Sequence, residues 1–294
     1  MRIWTWVGGI LPLAIAVCTI LAAGACSASV ADLPAIEAYG VLPMVDSARL
    51  SPDGSMVAFL SSVQGRRCLF VHHLDDEKQK PKALCPGVFE VRWFAWKTNS
   101  RLLMSVYRST PHLGRLITES HLIAMNIDGS GDTLLLKAHQ GRMINFNTDN
   151  VLDFLPDDPD HILMTVDTTS MVFPDVIKVD VNSGDKQTIV PSRDKIIRWY
   201  TDGKGQPRLG FGMVERKKAA FLYQDEAGGD FMQVEGADAI GESGFLPLGF
   251  SDKPGVIYVL SNHETGRNCI YLYDVKNKTV LDRYASEPEP TSNP

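Results

Sequence analysis

Residues 47–74 read SARLSPDGSMVAFLSSVQGRRCLFVHHL, and this stretch holds the pattern that decides the fold. Ser51-Pro52-Asp53-Gly54 is a tight-turn signal: proline presets one turn torsion, aspartate bonds the nearby backbone and glycine takes positive φ. A β-rich run, MVAFLSS, follows the turn, and a second run, CLFVHHL, follows that. The weaker run KALC comes next, after a polar segment.

The same order of signals recurs along the chain. Further turns lie at Lys97-Thr98-Asn99-Ser100, Pro156-Asp157-Asp158-Pro159-Asp160, Asp202-Gly203-Lys204-Gly205 and Ser251-Asp252-Lys253-Pro254-Gly255. After them come RLLMSVY, HILMTVD, PRLGFGM and VIYVLSN, then SHLIAMNI, DVIKVDV, KAAFLYQD and CIYLYDV. The third runs are DTLLLKA, KQTIVP, FMQVEG and KTVLDRY. One more run precedes each turn: SARLS, VRWFAW, NVLDFL, IRWYT and FLPLGF. Four strands per unit and a spacing of about 50 residues describe the blades of a β-propeller. Alternating residues such as Ile270, Leu272 and Val275 give a strand an adhesive face toward a neighbouring sheet. Sheets of this kind bury both faces by stacking. The expected architecture is therefore all-β: five four-stranded antiparallel blades at about 45–87, 88–140, 145–196, 197–240 and 245–285, with an incomplete ring as one outcome. No amphipathic helix of useful length follows residue 40.

Composition narrows the function classes. The chain has 294 residues, 44% hydrophobic and 22% charged, which excludes a disordered chain. A net charge of −6 argues against nucleic-acid binding. The run from Ile3 to Ala25 carries no charge and follows Arg2, as in an export signal. Three readings of residues 1–31 stay open: cleavage after Ala25, Ala28 or Ala31, lipidation at Cys26, or an uncleaved anchor. Each exports the remainder, to the periplasm or cell envelope, with membrane contact only through this segment. Residues 32–44 form a leader expected to pack on the first blade, and the tail 286–294 is polar, Pro-rich and expected to be disordered.

An oxidising compartment permits disulfides. If CLFVHHL and KALC pair as a hairpin with its midpoint at Asp76-Glu77, Cys68 faces Cys85; two buried thiols are the alternative. Cys269 has no evident partner in the sequence. No metal or other cofactor is expected: there is no Cys-x-x-Cys motif, and adjacent His72 and His73 point to opposite faces of a strand. Trp93, Trp96 and Trp199 lie in the expected first strands and read as inner-strand packing residues, and Tyr271 and Tyr273 as residues that pack between blades.

The segment Leu33–Ser62, LPAIEAYGVLPMVDSARLSPDGSMVAFLSS, resembles the start of the propeller in exported members of the prolyl oligopeptidase family, the acylaminoacyl-peptidases and dipeptidyl-peptidases. VIKVDVNSGDKQTIV (Val176–Val190) and the run from Trp199 to Arg208 are similar to that family too. The Ser-Pro-Asp-Gly turn also occurs in TolB-like propellers. The family carries its serine nucleophile in a Gly-x-Ser-x-Gly elbow on a C-terminal α/β-hydrolase domain. The nearest approach here is Gly241-Glu242-Ser243-Gly244, which lacks the final glycine. The resemblance therefore transfers no catalytic residue, and whether the chain takes part in an enzyme stays open. It implies a substrate-gating or docking scaffold that lacks the catalytic domain, with a separate hydrolase domain or chain as its partner. The other reading is a non-enzymatic TolB-like module that binds a peptide or protein in the envelope.

A meander sends its loops alternately to two sides. One side is expected to collect Arg66, Arg67, Arg108, Arg115, Arg216, Lys217, Lys218 and Arg267, together with the two longest insertions, Ser109–Glu119 and Asp167–Asp175. The other carries the turn acids Asp53, Asp157, Asp158, Asp160, Asp202 and Asp252. The basic side is the candidate partner-contact face. The competing explanation is that acids simply favour tight turns.

Overall fold

The computed structural model describes residues 45–286 except 77, 138, 141–142, 145, 168–171, 216–217, 239–244 and 263–265. Residues 1–31, expected as an export signal, with Cys26, the expected leader 32–44, Arg216, Lys217, Ser243 and the residues beyond Ser286 lie outside the described residues. Among those described, the chain is all strand and loop, with no helix. It is a β-propeller of five successive sheets in the order of the sequence repeats.

The first sheet comprises Asp46–Leu50, Met56–Val63, Arg66–His73 and Lys82–Leu84. The third comprises Val151–Asp153, His161–Val166, Asp175–Asp180 and Lys186–Val190. The fourth comprises Arg198–Thr201, Pro207–Glu215, Lys218–Tyr223 and Met232–Asp238. The fifth comprises Phe245–Phe250, Val256–Ser261, Cys269–Asp274 and Thr279–Ser286. Each of these four is an antiparallel meander. The last strand runs to Ser286, one residue into the expected tail.

The second sheet departs from the expected unit. Its strands Glu90–Trp96, Arg101–His112 and Arg115–Asn126 form the meander, but of DTLLLKA only Thr133–Leu134 pairs with the third strand. Asn147–Thr148 then adds parallel to Ser120–His121. The boundary expected at residue 145 thus falls inside the second sheet's own pairing. The Leu135 amide still donates to the Leu122 carbonyl (3.0 Å), and the Leu135 and Leu136 side chains are buried in the core between the second and third sheets.

Four cores join the sheets in chain order. Ala58, Leu60, Leu69 and Val71 meet Val91, Phe94, Leu102 and Met104 between the first and second sheets. Leu103 and Leu122 meet Ile162, Met164 and Ile177 between the second and third. Val176 and Val190 meet Trp199 and Leu222 between the third and fourth. Phe211, Phe221 and Tyr223 meet Ile257, Val259, Tyr271 and Tyr273 between the fourth and fifth. Full burial of each such side chain contributes roughly 1.5–3 kcal/mol. Close approach is needed where the link after the third sheet crosses the fourth: a Cβ on Gly212 would stand 1.5 Å from the Lys195 carbonyl oxygen.

The turns tie each sheet to the next. The Asp53 amide donates to Asn99 Oδ1 (3.0 Å), and Lys97 Nζ donates to the carbonyls of Phe154 (2.5 Å) and Leu155 (3.0 Å). Thr201 Oγ1 donates to Asp153 Oδ2 (2.7 Å), and the Gly255 amide donates to the Tyr223 hydroxyl (2.9 Å). The turn acids also cap their own turns. Ser51, Ser55 and the Ser55 amide all donate to Asp53 Oδ1, holding that carboxyl below the usual range. This is the local turn chemistry that favours aspartate at such positions.

Candidate functional site

Cys68 and Cys85 are disulfide-bonded, with Cα atoms 4.7 Å apart. The ladder explains the pairing: Leu69 sits opposite Leu84, so the next residues outward face one another.

The segment Ser109–Glu119 is not a loop. Strand pairing continues without interruption from Arg101↔Asn126 to His112↔Arg115, closed by the two-residue turn Leu113-Gly114. Both turn residues have positive φ, 47° at Leu113 and 76° at Gly114, the geometry that matches the twist of a two-residue hairpin. The result is a hairpin with twelve residues per strand, longer than any strand of the other four sheets. At its end Leu113 is 91% exposed and Leu116 76% exposed. A left-handed conformation at leucine costs roughly 1–2 kcal/mol, and the tip keeps it while giving water an apolar side chain.

At the base of this hairpin lies a belt of arginines and rings. Arg108 pairs with Glu119 and stands 4.8 Å from the Phe89 ring centroid. Arg66 donates to the Phe89 carbonyl at 3.1 Å. Arg92 lies 5.2 Å from the Tyr107 ring, and the Tyr107 hydroxyl donates to Glu90 Oε2 at 3.3 Å. Burial and the Glu90 carboxylate both raise the Tyr107 phenol above its ordinary pKa, so it stays a donor. Arg67 pairs with Asp46.

Beneath the belt, a buried carboxylate marks the passage from the second sheet to the third. Ser105 Oγ donates to Asp149 Oδ2 (2.7 Å) and Ser120 Oγ to Asp149 Oδ1 (2.6 Å), with the Arg92 guanidinium 3.6 Å away. His121 Nδ1 lies 3.0 Å from Thr148 Oγ1, and burial lowers its pKa. These contacts satisfy a buried charge and fix the unusual parallel strand.

The expected basic face is thus corrected in composition. Arg66, Arg67 and Arg108 converge on the first two sheets, but Asp46, Glu90, Glu119 and Asp149 interleave with them. Arg115 stands exposed beside the hairpin tip, and Arg267 lies in the connection between the second and third strands of the fifth sheet. Phe89, Arg92, Leu113, Leu116 and Asp149 escaped the sequence reading. The alternation carried on both sides of Leu113-Gly114 was the signal that could have found the hairpin.

A concavity of about 490 Å³ lies between the third and fourth sheets on the turn side. Leu163, Lys178, Gln187 and the Gly203–Gln206 turn line it. Lys178 and His161 both bond Asp158. Burial raises that carboxyl, but the two hydrogen bonds outweigh it and hold it below the usual range. Among the described residues no group of three or more His, Cys, Asp or Glu is placed to hold a metal ion.

No family model matches the chain, and no curated protein does. Solved structures resemble it in fold. TolB from Acinetobacter baumannii superposes with a TM-score of 0.40 at 12% identity over 83% of this chain. Prolyl oligopeptidase B from Galerina marginata gives 0.49 at 12% identity over 83%, and the acylaminoacyl peptidase of Pyrococcus horikoshii 0.46 at 15% over 84%. The chain spans 55% of the TolB chain and 38% and 39% of the two peptidase chains.

Proposed function

We propose that the chain is an exported docking propeller that holds a protein partner through the Arg101–Asn126 hairpin and the arginine-aromatic belt at its base. The observation that carries this reading is the pair Leu113 and Leu116, exposed at the end of a continuously paired arm whose turn adopts a strained backbone. Arginine and aromatic rings are the side chains most enriched at interface hot spots. Arg66 and Arg108 clasp Phe89 while Arg92 lies over Tyr107, so the belt is preorganised and loses little side-chain freedom on binding. Its alternating charges suit a folded protein surface better than a polyanion.

The sequence resemblance supports a hydrolase domain as the partner, with the propeller gating or docking peptide substrates. A TolB-like envelope protein that binds a non-enzymatic partner is the other reading. Site-specific photo-crosslinking separates them. A crosslinker at Leu113 should give one discrete adduct in envelope extracts, lost in Arg108→Glu, whereas a crosslinker at Lys204 on the turn side should give none. Reaction of the adduct with a serine-directed fluorophosphonate assigns the hydrolase reading; an unreactive adduct assigns the other. Equal labelling from Leu113 and Lys204, or none from either, contradicts docking through the hairpin.

A further inference from the structure

Among the described residues, eight of the ten sheet faces meet in the four gaps between successive sheets, and the two end faces meet no other sheet. The fifth sheet buries Ile257, Val259, Tyr271 and Tyr273 against the fourth. Its opposite face presents Tyr258, Leu260, Ile270 and Leu272, each half-exposed and in none of the four cores. Tyr284, 63% exposed, packs edge-on to Tyr258 with ring centroids 4.9 Å apart. The first sheet is the mirror case. Ala58 and Leu60 are buried against the second sheet, while Val57, Phe59 and Phe70 are half-exposed on the other face beside Leu50, which is 60% exposed.

The two open faces are equivalent to two covered ones. The first and fifth sheets repeat with an offset of 200 residues: the Ser51 amide donates to the Met56 carbonyl (2.8 Å), and the Ser251 amide to the Val256 carbonyl (3.1 Å). Tyr258 and Leu260 therefore stand where the first sheet has Ala58 and Leu60, which the next sheet covers completely. Val57 and Phe59 stand where the fifth sheet has Ile257 and Val259, which the preceding sheet covers completely. The fifth sheet's open face is built to receive a following sheet, and the first sheet's open face to receive a preceding one.

We infer that the open face of the fifth sheet docks on the open face of the first sheet of a second copy of this chain, head to tail. The contact continues the same sheet-on-sheet stacking that builds the four interior cores. It is a heterologous contact, so each copy keeps one free face of each kind at the ends of an assembly. This inference is independent of the hairpin's docking role, which uses the second sheet's hairpin and the belt at its base, with Arg66 and Arg67 from the start of one first-sheet strand, and neither open face.

Sedimentation equilibrium of the purified full chain tests it, with Leu50→Arg and Tyr284→Arg as variants at exposed positions. The average mass of the wild type should rise with concentration past that of a dimer. Each variant alone should remain a monomer. An equimolar mixture should double in mass, because one variant keeps the first-sheet face and the other keeps the fifth. A wild type that stays monomeric at all concentrations overturns the inference. Dimers that persist in both single variants overturn it too, since the contact is then not head to tail. Should either variant melt below the wild type, Leu50→Gln and Tyr284→Gln repeat the mixing test, and the same outcomes decide.

Discussion

The two faces of the fifth sheet differ in what they touch and hardly at all in what they are made of. Tyr271 and Tyr273 on one side are fully buried against Phe221 and its neighbours, whereas Tyr258 and Tyr284 on the other keep contact with water. Strand periodicity sorts residues onto faces, but it does not say which face finds a neighbour. Ile270 and Leu272, expected from alternation to adhere to an adjoining sheet, lie on the half-exposed side. The covered partner of that strand is the tyrosine row between them. Burial in this molecule is decided by position in the stack of sheets, since equally apolar rows of one strand meet different fates.

That contrast can be broken most severely from the covered side. Tyr271→Ala should cost about 3–5 kcal/mol, because truncation leaves a cavity in a packed aromatic cluster. Tyr284→Ala should stay within about 0.5 kcal/mol in the monomer, as exposed substitutions do. Urea denaturation followed by circular dichroism checks both, and equal losses would erase the distinction between the faces.

Among the described residues the first sheet also packs against another sheet from one side only, and it carries a covalent staple. Cys68 is on the same face as Phe70, and its bond to Cys85 closes a loop with a sequence separation of 17. Replacing both cysteines by serine should cost about 3 kcal/mol on the chain-entropy account. Hydrogen exchange sharpens the point: amides of Arg66–Leu84 should lose protection first, while the fifth sheet, which has no such bond among the described residues, should be unchanged.

A smaller effect comes from acid. Burial lowers the pKa of His121, so the unfolded chain binds its proton more readily than the folded one. The stabilising contribution is complete above the ordinary histidine value of about 6.5 and is lost as the pH falls from there through the lower folded value. Melting temperature should drop over that window. In His121→Gln the same window should be flatter, and an unchanged slope would place the proton uptake elsewhere.

The turn signals made the sheets legible. Ser51-Pro52-Asp53-Gly54 and its four counterparts each fall between the first two strands of a sheet, because their local chemistry needs no distant partner. The Cys68–Cys85 pairing follows from hairpin arithmetic for the same reason. What stayed hidden depends on contacts far apart in sequence. The carboxylate of Asp149 is satisfied by Ser105 and Ser120, and Asn147–Thr148 joins a sheet whose adjoining strand ended twenty residues earlier. Nor did Arg66 and Arg108 reveal by their number that Phe89 and Glu119 would hold them. The hairpin was concealed by a leucine in a turn position where asparagine or glycine is usual.

Tyrosine nitration of the dilute native chain, read residue by residue, tests the stacked-sheet account most directly. Tyr284 should react fastest and Tyr258 next, while Tyr271 and Tyr273 stay unmodified until the protein unfolds. Reaction of Tyr271 or Tyr273 at the rate of Tyr284 in the folded protein would contradict the account.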